Sequence, residues 1–248
     1  MSSQNKRAEI EFFDRFEDGP GYDVFGEEGY KKIVSVMRKN LPLSKGVIFD
    51  MGCGTGAFTQ YISNAYPKCN VTGMDISAGS IRKAKNDYPK IKFVRGDVEN
   101  TGIKSHTVDM VCYTGIFHHF TDFGKVAKEA SRILKPGGYV FSYDPNFYNP
   151  AFWLYRSKKS PFYSPVGITA NERLLKSKEV VDVFSKYGIA MKPKIISGIK
   201  FTYVESEAAK KLLKIYNFFD KILASTVLAS YVGSFILGFG VKEASNGK

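Results

Sequence analysis

A glycine-rich turn between two apolar segments constrains the fold of this chain more than any other feature. The apolar run at residues 47–49 leads into Asp50, and Gly52, Gly54 and Gly56 then precede a segment with helical spacing. This order predicts a buried parallel strand, a tight turn and a helix N-terminus. Glycine permits a positive φ and a close backbone approach to a ligand, and a helix N-terminus favours a polar or anionic group.

The turn therefore indicates a nucleotide-like cofactor site. Gly52-x-Gly54-x-x-Ala57 also satisfies the dinucleotide-binding pattern, and a glycine turn without a ligand is a further alternative. The next strand is predicted to end at Asp75, nineteen residues beyond Gly56. An acidic side chain at that position can accept hydrogen bonds from both hydroxyls of a ribose.

Composition and cysteine use place the chain in a broad class. Its 248 residues suit one large α/β domain, and 44% hydrophobic with 15% aromatic residues predict a folded core rather than disorder. Cys53, Cys69 and Cys112 lack metal-ligand spacing, so we expect reduced packing residues and no metal site. The first ten residues are polar and charged, so we expect no secretory signal and a cytoplasmic protein.

The net charge of +12 is unevenly distributed along the chain. Residues 151–200 carry +7 of it, and the same block holds Phe152, Trp153, Tyr155, Phe162 and Tyr163. A basic, aromatic surface of this kind is compatible with nucleic acid, an anionic small substrate or an anionic membrane surface. A solvated, lysine-rich face is the alternative.

Strands and helices alternate along the chain. Two amphipathic helices, over residues 6–17 and 28–40, are predicted ahead of the first strand, with a break at Asp18-Gly19-Pro20-Gly21. Further strands are predicted at residues 71–75, 91–94, 108–113, 139–143, 195–204 and 234–241, and helices at 81–86 (with Ser77 as N-cap), 122–134 and 176–187. Short strand–helix units in strict alternation predict a parallel, doubly wound sheet.

Four motifs in this order resemble those of the class I S-adenosylmethionine-dependent methyltransferases. They are Asp50-Met51-Gly52-Cys53-Gly54-Thr55-Gly56, the strand-ending Asp75, Gly96-Asp97-Val98 and Leu134-Lys135-Pro136-Gly137-Gly138. The resemblance covers roughly residues 45–143 and implies S-adenosylmethionine as cofactor. It implies that Asp50 and the glycines hold the methionine part, Asp75 the ribose and Asp97 the adenine amino group. Further cofactor contacts are expected from Cys53, Ile76, Val98 and Thr114.

Methyl transfer is an in-line displacement at a sulfonium carbon, so alignment of the acceptor does most of the catalytic work. A hydroxyl acceptor also requires a base, and histidine suits that role. His118 and His119 follow the fourth strand at its carboxyl end, where open α/β sheets bind ligands. We expect one of them to act as base or to orient the acceptor, while packing under the next helix is the alternative. His106 lies in a polar loop and is expected to be solvated.

The loop after the fifth strand is a second candidate for acceptor binding. Pro145 and Pro150 stiffen it, and polar side chains are supplied by Asp144, Asn146, Tyr148 and Asn149. These four residues are expected to contact the acceptor. A turn held by Asx hydrogen bonds is the structural alternative.

The last forty or so residues are unusually apolar. Residues 208–223 place Leu212, Ile215, Phe219 and Leu223 on one helical face, and residues 222–241 carry no charge. That length could span a bilayer, but the glycines, the serines and the strand-like residues 234–241 favour a helix packed on the domain and an antiparallel last strand. A membrane span and an interfacial helix on a membrane are the alternatives.

The sequence thus predicts one α/β domain with a doubly wound, mostly parallel seven-stranded sheet. N-terminal helices occupy residues 1–44, a cofactor-binding core 45–144, an acceptor cap 145–176 and a C-terminal part 177–248 with an inserted helix at 206–230. The expected activity is methyl transfer, on oxygen, to a small or lipid-linked acceptor that is partly anionic and partly hydrophobic. Peripheral contact with a membrane is compatible with this reading.

Two further functions stay open at this point. A nucleic-acid methyltransferase or RNA-binding protein would explain the positive charge. However, the chain has Thr114-Gly115-Ile116-Phe117 where base-modifying relatives carry an Asn/Asp-Pro-Pro-aromatic tetrad. A non-catalytic scaffold would keep only the cofactor fold, and the intact set of Asp50, Asp75 and Asp97 disfavours loss of cofactor binding.

Overall fold

The computed structural model describes residues 5–18, 24–164, 168–169, 171–202, 204 and 207–244, without the side chains of Ala208 and Ala209. The predicted break at Gly19-Pro20-Gly21 and the predicted start of the inserted helix at residue 206 lie outside the described residues.

Seven strands form one sheet in the order β3-β2-β1-β4-β5-β7-β6. Their bounds are β1 Gly46–Met51, β2 Cys69–Asp75, β3 Lys92–Arg95, β4 Val108–Thr114, β5 Leu134–Pro145, β6 Ile189–Ile196 and β7 Phe235–Lys242. Strands β1 to β5 pair in parallel, and β7 lies antiparallel between β5 and β6. The doubly wound, mostly parallel sheet and its antiparallel last strand are therefore confirmed.

Nine helices accompany the sheet in the described part of the chain. They are α1 Lys6–Asp14, α2 Glu27–Asn40, α3 Ala57–Ala65, α4 Ala78–Asp87, α5 Gly124–Ile133, α6 Pro150–Arg156, α7 Ser177–Ser185, α8 Glu207–Leu223 and α9 Ala229–Val232. Ser77 caps α4 as predicted, because its side chain accepts the N–H of Ser80. One apolar cluster includes residues of α5, α7 and the sheet, and a second includes residues of α2, α3 and the sheet.

The strand order fixes where a ligand can bind. The chain runs outward from β1 to β3 and then crosses to β4 on the other side of β1. Ligands of open α/β sheets bind at such a switch point, outside the carboxyl ends of the strands. The glycine turn follows β1, Asp75 ends β2, a single 3₁₀ turn at Phe117–His119 follows β4, and Asp144 lies near the end of β5.

Helix α1 lies against this edge of the sheet. Asp14 at its C-terminal end accepts the hydroxyl of Ser77 and the N–H of Gly79, both at the start of α4. Lys6 at its N-terminal end pairs with Asp97 and Glu99. The amphipathic N-terminal helix therefore covers the crevice, and Lys6, Glu9 and Phe13 line the cavity.

Two predictions about the C-terminal third were wrong. The sixth strand was expected at residues 195–204, but β6 spans Ile189–Ile196, and among the described residues of 197–204 Phe201 forms an isolated bridge with Phe25. The inserted helix was expected to continue to residue 230 and to bury its apolar stripe. It ends at Leu223, and Leu212, Ile215 and Phe219 are exposed.

Within the described ranges, no helix has the length and apolar character needed to cross a bilayer. The apolar tail instead contributes a surface helix and a buried strand, since most side chains of β7 are inaccessible to solvent.

Candidate active site

A cavity of about 240 Å³ opens at the carboxyl ends of the parallel strands. Ten of the residues that the sequence analysis selected line it: Gly52, Cys53, Gly54, Asp75, Ile76, Asp97, Val98, Thr114, His118 and His119. They come from segments that follow β1, β2, β3 and β4, which places the cavity at the switch point of the sheet. These ten predicted cofactor and catalytic residues thus share one space, whereas Asp50 and Gly56 do not line it.

Glycine is needed at the three positions of the turn for different structural reasons. All three have positive φ values: 74° at Gly52, 51° at Gly54 and 88° at Gly56. A Cβ on Gly52 would lie 2.6 Å from Ile116 Cδ1, and one on Gly56 would lie 2.8 Å from Phe93 Cζ. A Cβ on Gly54 would meet nothing within 4 Å. Gly54 therefore leaves open space for a ligand, whereas Gly52 and Gly56 permit close packing.

Asp75 is held at the base of the cavity by the backbone of the turn. Its Oδ2 accepts the N–H of Gly54 at 2.8 Å, and its Oδ1 accepts the N–H of Ser77 at 2.9 Å. Burial raises the pKa of Asp75 despite these hydrogen bonds. The turn and the carboxylate therefore position each other, and a substitution at Asp75 affects both.

Asp50 lies behind the cavity rather than in its wall. Its two carboxylate oxygens accept the hydroxyls of Thr59 at 2.7 Å and Thr114 at 2.9 Å. Burial raises the pKa of Asp50 to about 6, although the two hydroxyl hydrogen bonds oppose the shift. Asp50 therefore orients Thr114, which does line the cavity.

His118 and Asp144 form a hydrogen-bonded pair at the opposite end of the cavity. Oδ1 of Asp144 lies 2.9 Å from Nδ1 of His118 and accepts the backbone N–H of the same residue at 3.1 Å. Burial and the charge of His119 lower the pKa of His118 to about 3, and burial raises the pKa of Asp144. The ring is therefore neutral at neutral pH. With Nδ1 on Asp144, Nε2 is the ring nitrogen left to meet an acceptor.

His119 belongs to a second, more highly charged cluster. Its Nδ1 lies 3.2 Å from Oε2 of Glu9 and 3.0 Å from the hydroxyl of Thr169. Burial lowers the pKa of His119, but the Glu9 hydrogen bond and the charges of Glu172, Glu9 and Asp144 outweigh it and raise the pKa above its ordinary value. His119 is thus suited to carry a positive charge, not to act as a neutral base.

Sequence reasoning missed Glu9 and Glu172. Glu9 is buried, pairs with His119 and accepts the side-chain amide of Asn171 at 2.8 Å. Glu172 lies 3.2 Å from Arg156, and both line the cavity. Glu9 shares the helical spacing of the cavity-lining Phe13, a signal that was available in the sequence. Glu172 lies in an irregular segment for which no periodic signal exists.

His118, His119 and Glu172 also bring three potential metal-ligand atoms within 4.8 Å of one another. However, His119 already faces Glu9, and Glu172 already pairs with Arg156. The opposite charges of these groups compensate each other, so the cluster requires no cation to be electrically balanced.

The asparagine side chains of the loop after β5 make hydrogen bonds within the protein, and the acceptor contacts expected of this loop stay a prediction. The amide of Asn146 donates to the carbonyls of Tyr231 and Gly233, and that of Asn149 donates to the carbonyl of Val232. Asn149 also caps α6, while half-exposed Tyr148 lies outside the cavity wall. Asn146 and Asn149 therefore hold the loop against α9, and of the four predicted residues Asp144 is the one that contacts the cavity-lining His118.

An aromatic wall forms part of the cavity lining. It consists of Phe25, Tyr143, Phe152, Phe201 and Phe235. Ring centroids within this group are 5.2 Å apart for Phe25 and Phe235 and 5.6 Å apart for Phe201 and Phe235. Such a wall offers an apolar surface with few hydrogen-bonding groups.

The other half of the cavity fits a cofactor that carries a nucleoside. Gly54 leaves open space beside the turn, Asp75 and Asp97 supply carboxylates, and Thr114 supplies a hydroxyl oriented by Asp50. Carboxylates at these positions can accept hydrogen bonds from ribose hydroxyls and an amino group.

Comparisons with known proteins agree with this geometry. A family model described as a methyltransferase domain matches residues 49–142. Phthiotriol/phenolphthiotriol dimycocerosates methyltransferase 1 of Mycobacterium ulcerans is 28% identical over 107 residues, which cover 42% of this chain and 40% of that protein. Malonyl-[acyl-carrier protein] O-methyltransferase of Pectobacterium atrosepticum is 30% identical over 141 residues, which cover 55% and 52%. The matches thus span about half or less of these relatives.

Solved structures share the fold over more of the chain. Phosphoethanolamine N-methyltransferase 2 of Haemonchus contortus, in complex with S-adenosyl-L-methionine, has a TM-score of 0.62 at 16% identity, covering 94% of this chain and 56% of that one. The [4+2]-cyclase SpnF has a TM-score of 0.64 at 12% identity, covering 98% and 95%. At these identities the likeness concerns the fold alone.

The sheet order, the glycine turn and the carboxylates at the ends of β2 and β3 define a Rossmann-like class I fold with a site for a nucleoside-bearing cofactor. Residues 49–142 match the methyltransferase-domain family model, so this part of the chain is a class I S-adenosylmethionine-dependent methyltransferase domain. S-adenosylmethionine is accordingly the cofactor of the site.

Proposed function

We propose that this protein transfers a methyl group from S-adenosylmethionine to an oxygen atom of a small or lipid-linked acceptor. One observation carries the proposal: a single cavity joins the glycine turn, Asp75 and Asp97 to the His118–Asp144 pair. The bound cofactor supplies an electrophilic methyl group on a good leaving group. The protein has to align the acceptor, exclude water and remove a proton.

In this proposal His118 is the base. Nδ1 donates its hydrogen to Asp144, which fixes the ring and leaves the lone pair of Nε2 toward the acceptor hydroxyl. As the hydroxyl proton moves to Nε2, the ring becomes positive and Asp144 stabilises that charge. The uncharged resting state is maintained by burial, which disfavours a protonated ring before the acceptor binds. His119 stays in its ion pair with Glu9 and closes the cavity beneath α1.

The acceptor in this proposal has an apolar body and an anionic or polar group. The aromatic wall from Phe25 to Phe235 provides the surface for the apolar part. Arg156 and Arg173 also line the cavity and offer cationic groups, although each also pairs with a glutamate. The name of one relative states a malonyl group on an acyl-carrier protein, and a malonyl carboxylate is an example of the anionic group that this acceptor would carry.

Methyl transfer from labelled cofactor tests the proposal. The protein is incubated with S-adenosylmethionine carrying a labelled methyl group and with lipid and polar extracts, and labelled products are identified by mass spectrometry. We expect an O-methylated product together with S-adenosylhomocysteine. His118→Ala should lose roughly 100-fold in turnover with unchanged cofactor affinity.

The competing functions give other results. Label in RNA would support a nucleic-acid methyltransferase. Tight cofactor binding without any labelled product would support a non-catalytic scaffold. This outcome is worth testing because the fold also occurs in a protein named as a cyclase and not as a methyltransferase. A nitrogen-methylated product would retain the activity but contradict the role of His118 as a base for a hydroxyl group.

A further inference from the structure

The described structure exposes a continuous run of large apolar side chains on α8, on the turn after it and on α9. The run comprises Leu212, Ile215, Phe218, Phe219, Ile222, Val227, Leu228 and Tyr231. Phe218 and Phe219 are 61% and 62% exposed, and Val227 is 83% exposed. A patch of this kind marks an interaction surface, because isolated surface leucines are common but contiguous aromatic and aliphatic groups are not.

The opposite face of α8 fixes this orientation. Asp220 is buried and accepts the N–H of Gly198 at 2.6 Å and the hydroxyl of Ser234. Asn217 exchanges two hydrogen bonds with the backbone of Phe201, at 3.0 and 2.9 Å. A polar face is thus anchored to the domain while the apolar face points outward. Rotating the helix to bury its apolar stripe would leave these buried groups without partners.

Lysines lie beside the apolar run. Lys211, Lys214 and Lys221 are exposed on α8, and at helical spacing they share the outward half of the helix with Phe218 and Ile222. An outward face with both apolar and basic groups is typical of helices that lie in a membrane interface. The chain as a whole carries +12, which adds a long-range attraction to anionic surfaces.

We propose that the outward face of α8 and α9 docks on an anionic membrane surface. Charge complementarity favours this occupant over a second copy of the chain. A two-fold interface through the same face would bring like-charged lysines of the two copies together. An anionic bilayer accommodates the aromatic and aliphatic groups in its interface and neutralises the lysines at the same time.

Docking in this orientation connects the membrane to the cavity. The Tyr216 ring, on the inward side of α8, stacks on Phe152 at 6.0 Å and meets Phe201 at 5.7 Å. Both phenylalanines belong to the aromatic wall. A lipid-linked acceptor would therefore leave the bilayer next to the aromatic wall of the cavity. This step of the inference rests on the proposed function.

Vesicle binding tests the docking surface without any need for turnover, so its failure and the failure of the proposed activity are separate results. Full-length protein is floated with phosphatidylcholine vesicles and with vesicles that contain about 30 mol% phosphatidylglycerol. We expect binding to the anionic vesicles, weakened by high salt, and much weaker binding to the neutral ones. Phe218→Ser with Phe219→Ser should reduce binding at least about tenfold.

Matched variants separate the surface from general effects. Replacing Lys211, Lys214 and Lys221 by Gln should reduce binding to anionic vesicles roughly 100-fold. The same replacement of Lys45, Lys68 and Lys104, exposed lysines near the amino ends of β1, β2 and β4, should change binding much less. Val241→Ser removes an exposed apolar group from the end of β7 that pairs with Tyr139, remote from α8, and should leave binding unchanged.

Three results would overturn the proposal. They are no binding to either vesicle type, equal losses in the two lysine triples, and a dimer in solution that Phe218→Ser with Phe219→Ser dissociates. Because all of the substituted side chains are exposed, the variants should keep the unfolding temperature of the parent protein, and circular dichroism verifies this.

Discussion

At the scale of single residues, His118 and His119 are adjacent in sequence but differ in charge. The ring of His118 lies against Asp144, and partial burial lowers its pKa to about 3, whereas Glu9 and neighbouring carboxylates raise the pKa of His119. A base must be unprotonated before reaction, and a positioning ion pair must be charged. In the proposed mechanism, these two roles are divided between neighbouring residues because the residues have different partners.

The first prediction concerns the pH dependence of turnover. Because the pKa of His118 is about 3, its neutral form is present throughout the range from about pH 5 to 9, and protonation of this ring should not reduce turnover between about pH 7 and 5. Rates measured across this range for the parent and for His118→Ala provide the test. An acid limb centred near pH 6.5 that is absent from the variant would contradict the neutral resting ring.

The second prediction concerns Asp75. Asp75→Asn should weaken cofactor binding by about 1.5–3 kcal/mol, roughly 10- to 100-fold, through loss of a charge-assisted hydrogen bond. Calorimetric titration with S-adenosylmethionine measures the effect. Because Asp75 also accepts two backbone N–H groups, the unfolding temperature must be recorded alongside it. A folded variant with parental affinity would remove Asp75 from the ribose site.

At the scale of elements, the third prediction concerns the docking of α1, which depends on pH through the Glu9–His119 pair. Burial raises the pKa of Glu9, but His119, Thr169 and Asn171 outweigh it and lower the pKa, while the pKa of His119 is raised. The contribution of His119 to the free energy of unfolding is fully present below its unfolded-state pKa of about 6.5. It is lost as the pH rises through the folded-state pKa. The contribution of Glu9 to the free energy of unfolding is fully present above its unfolded-state pKa of about 4.3. It is lost as the pH falls through the folded-state pKa.

The pair therefore stabilises the protein most between about pH 4.3 and 6.5. Raising the pH from about 6 to about 9 should lower the unfolding temperature of the parent more than that of Glu9→Gln, which lacks the charge. Scanning fluorimetry at both pH values measures the difference. Glu172, Asp144 and Arg156 also face this cluster, so Glu9→Gln is expected to reduce the pH dependence without abolishing it.

The fourth prediction concerns the anchor of α8. Asp220→Ala should destabilise the protein by about 1–3 kcal/mol, because the N–H groups of Gly198 and Ile199 and the hydroxyl of Ser234 lose a buried acceptor. Lys221→Ala, at the exposed neighbouring position, is the matched control and should change stability by less than about 0.5 kcal/mol. Equal effects in denaturant titrations would show that the polar face does not anchor the helix.

The elements that sequence reasoning placed correctly and incorrectly differ for physical reasons. Neighbouring strands and helices bury β1, β2, β4 and β7. Buried strands are short apolar runs, so their composition identifies them in the sequence. Strand β6 lies at the sheet edge, where Lys192, Pro193 and Lys194 are tolerated and hide the strand pattern. For α8, periodicity indicated an amphipathic helix. Which of its faces meets the domain depends on the distant partners of Asp220 and Asn217.

At the scale of the whole molecule, the candidate site combines near and distant parts of the chain. The cofactor half follows consecutive strands, so it could be predicted from motif order and from the rule that ligands bind at the carboxyl ends. Glu9, Glu172 and Phe201 come from α1, from the segment after α6 and from the loop after β6. No local pattern brings these three together, since their proximity exists only after the sheet has formed.

The last prediction separates the two parts of the apolar tail. Ile196 at the end of β6 pairs with Phe235 at the start of β7, so residues 198–233 connect two antiparallel strands at adjacent ends. Replacing residues 198–233 with a short Gly-containing turn should leave a cooperatively folding, cofactor-binding core. Its stability should be lower because Ile199, Phe201 and the anchor at Asp220 are lost.

Ending the chain after residue 233 should instead abolish folding. This truncation removes β7, whose buried Phe235, Ile236 and Leu237 lie between β5 and β6, and each fully buried side chain of this size contributes roughly 1.5–3 kcal/mol. Far-ultraviolet circular dichroism, denaturant titration and calorimetry with S-adenosylmethionine distinguish the two variants. If the internal replacement also failed to fold, α8 would be part of the core and its outward apolar face a consequence of that role. If the truncated chain folded, the position of β7 between β5 and β6 would carry none of the stability assigned to it.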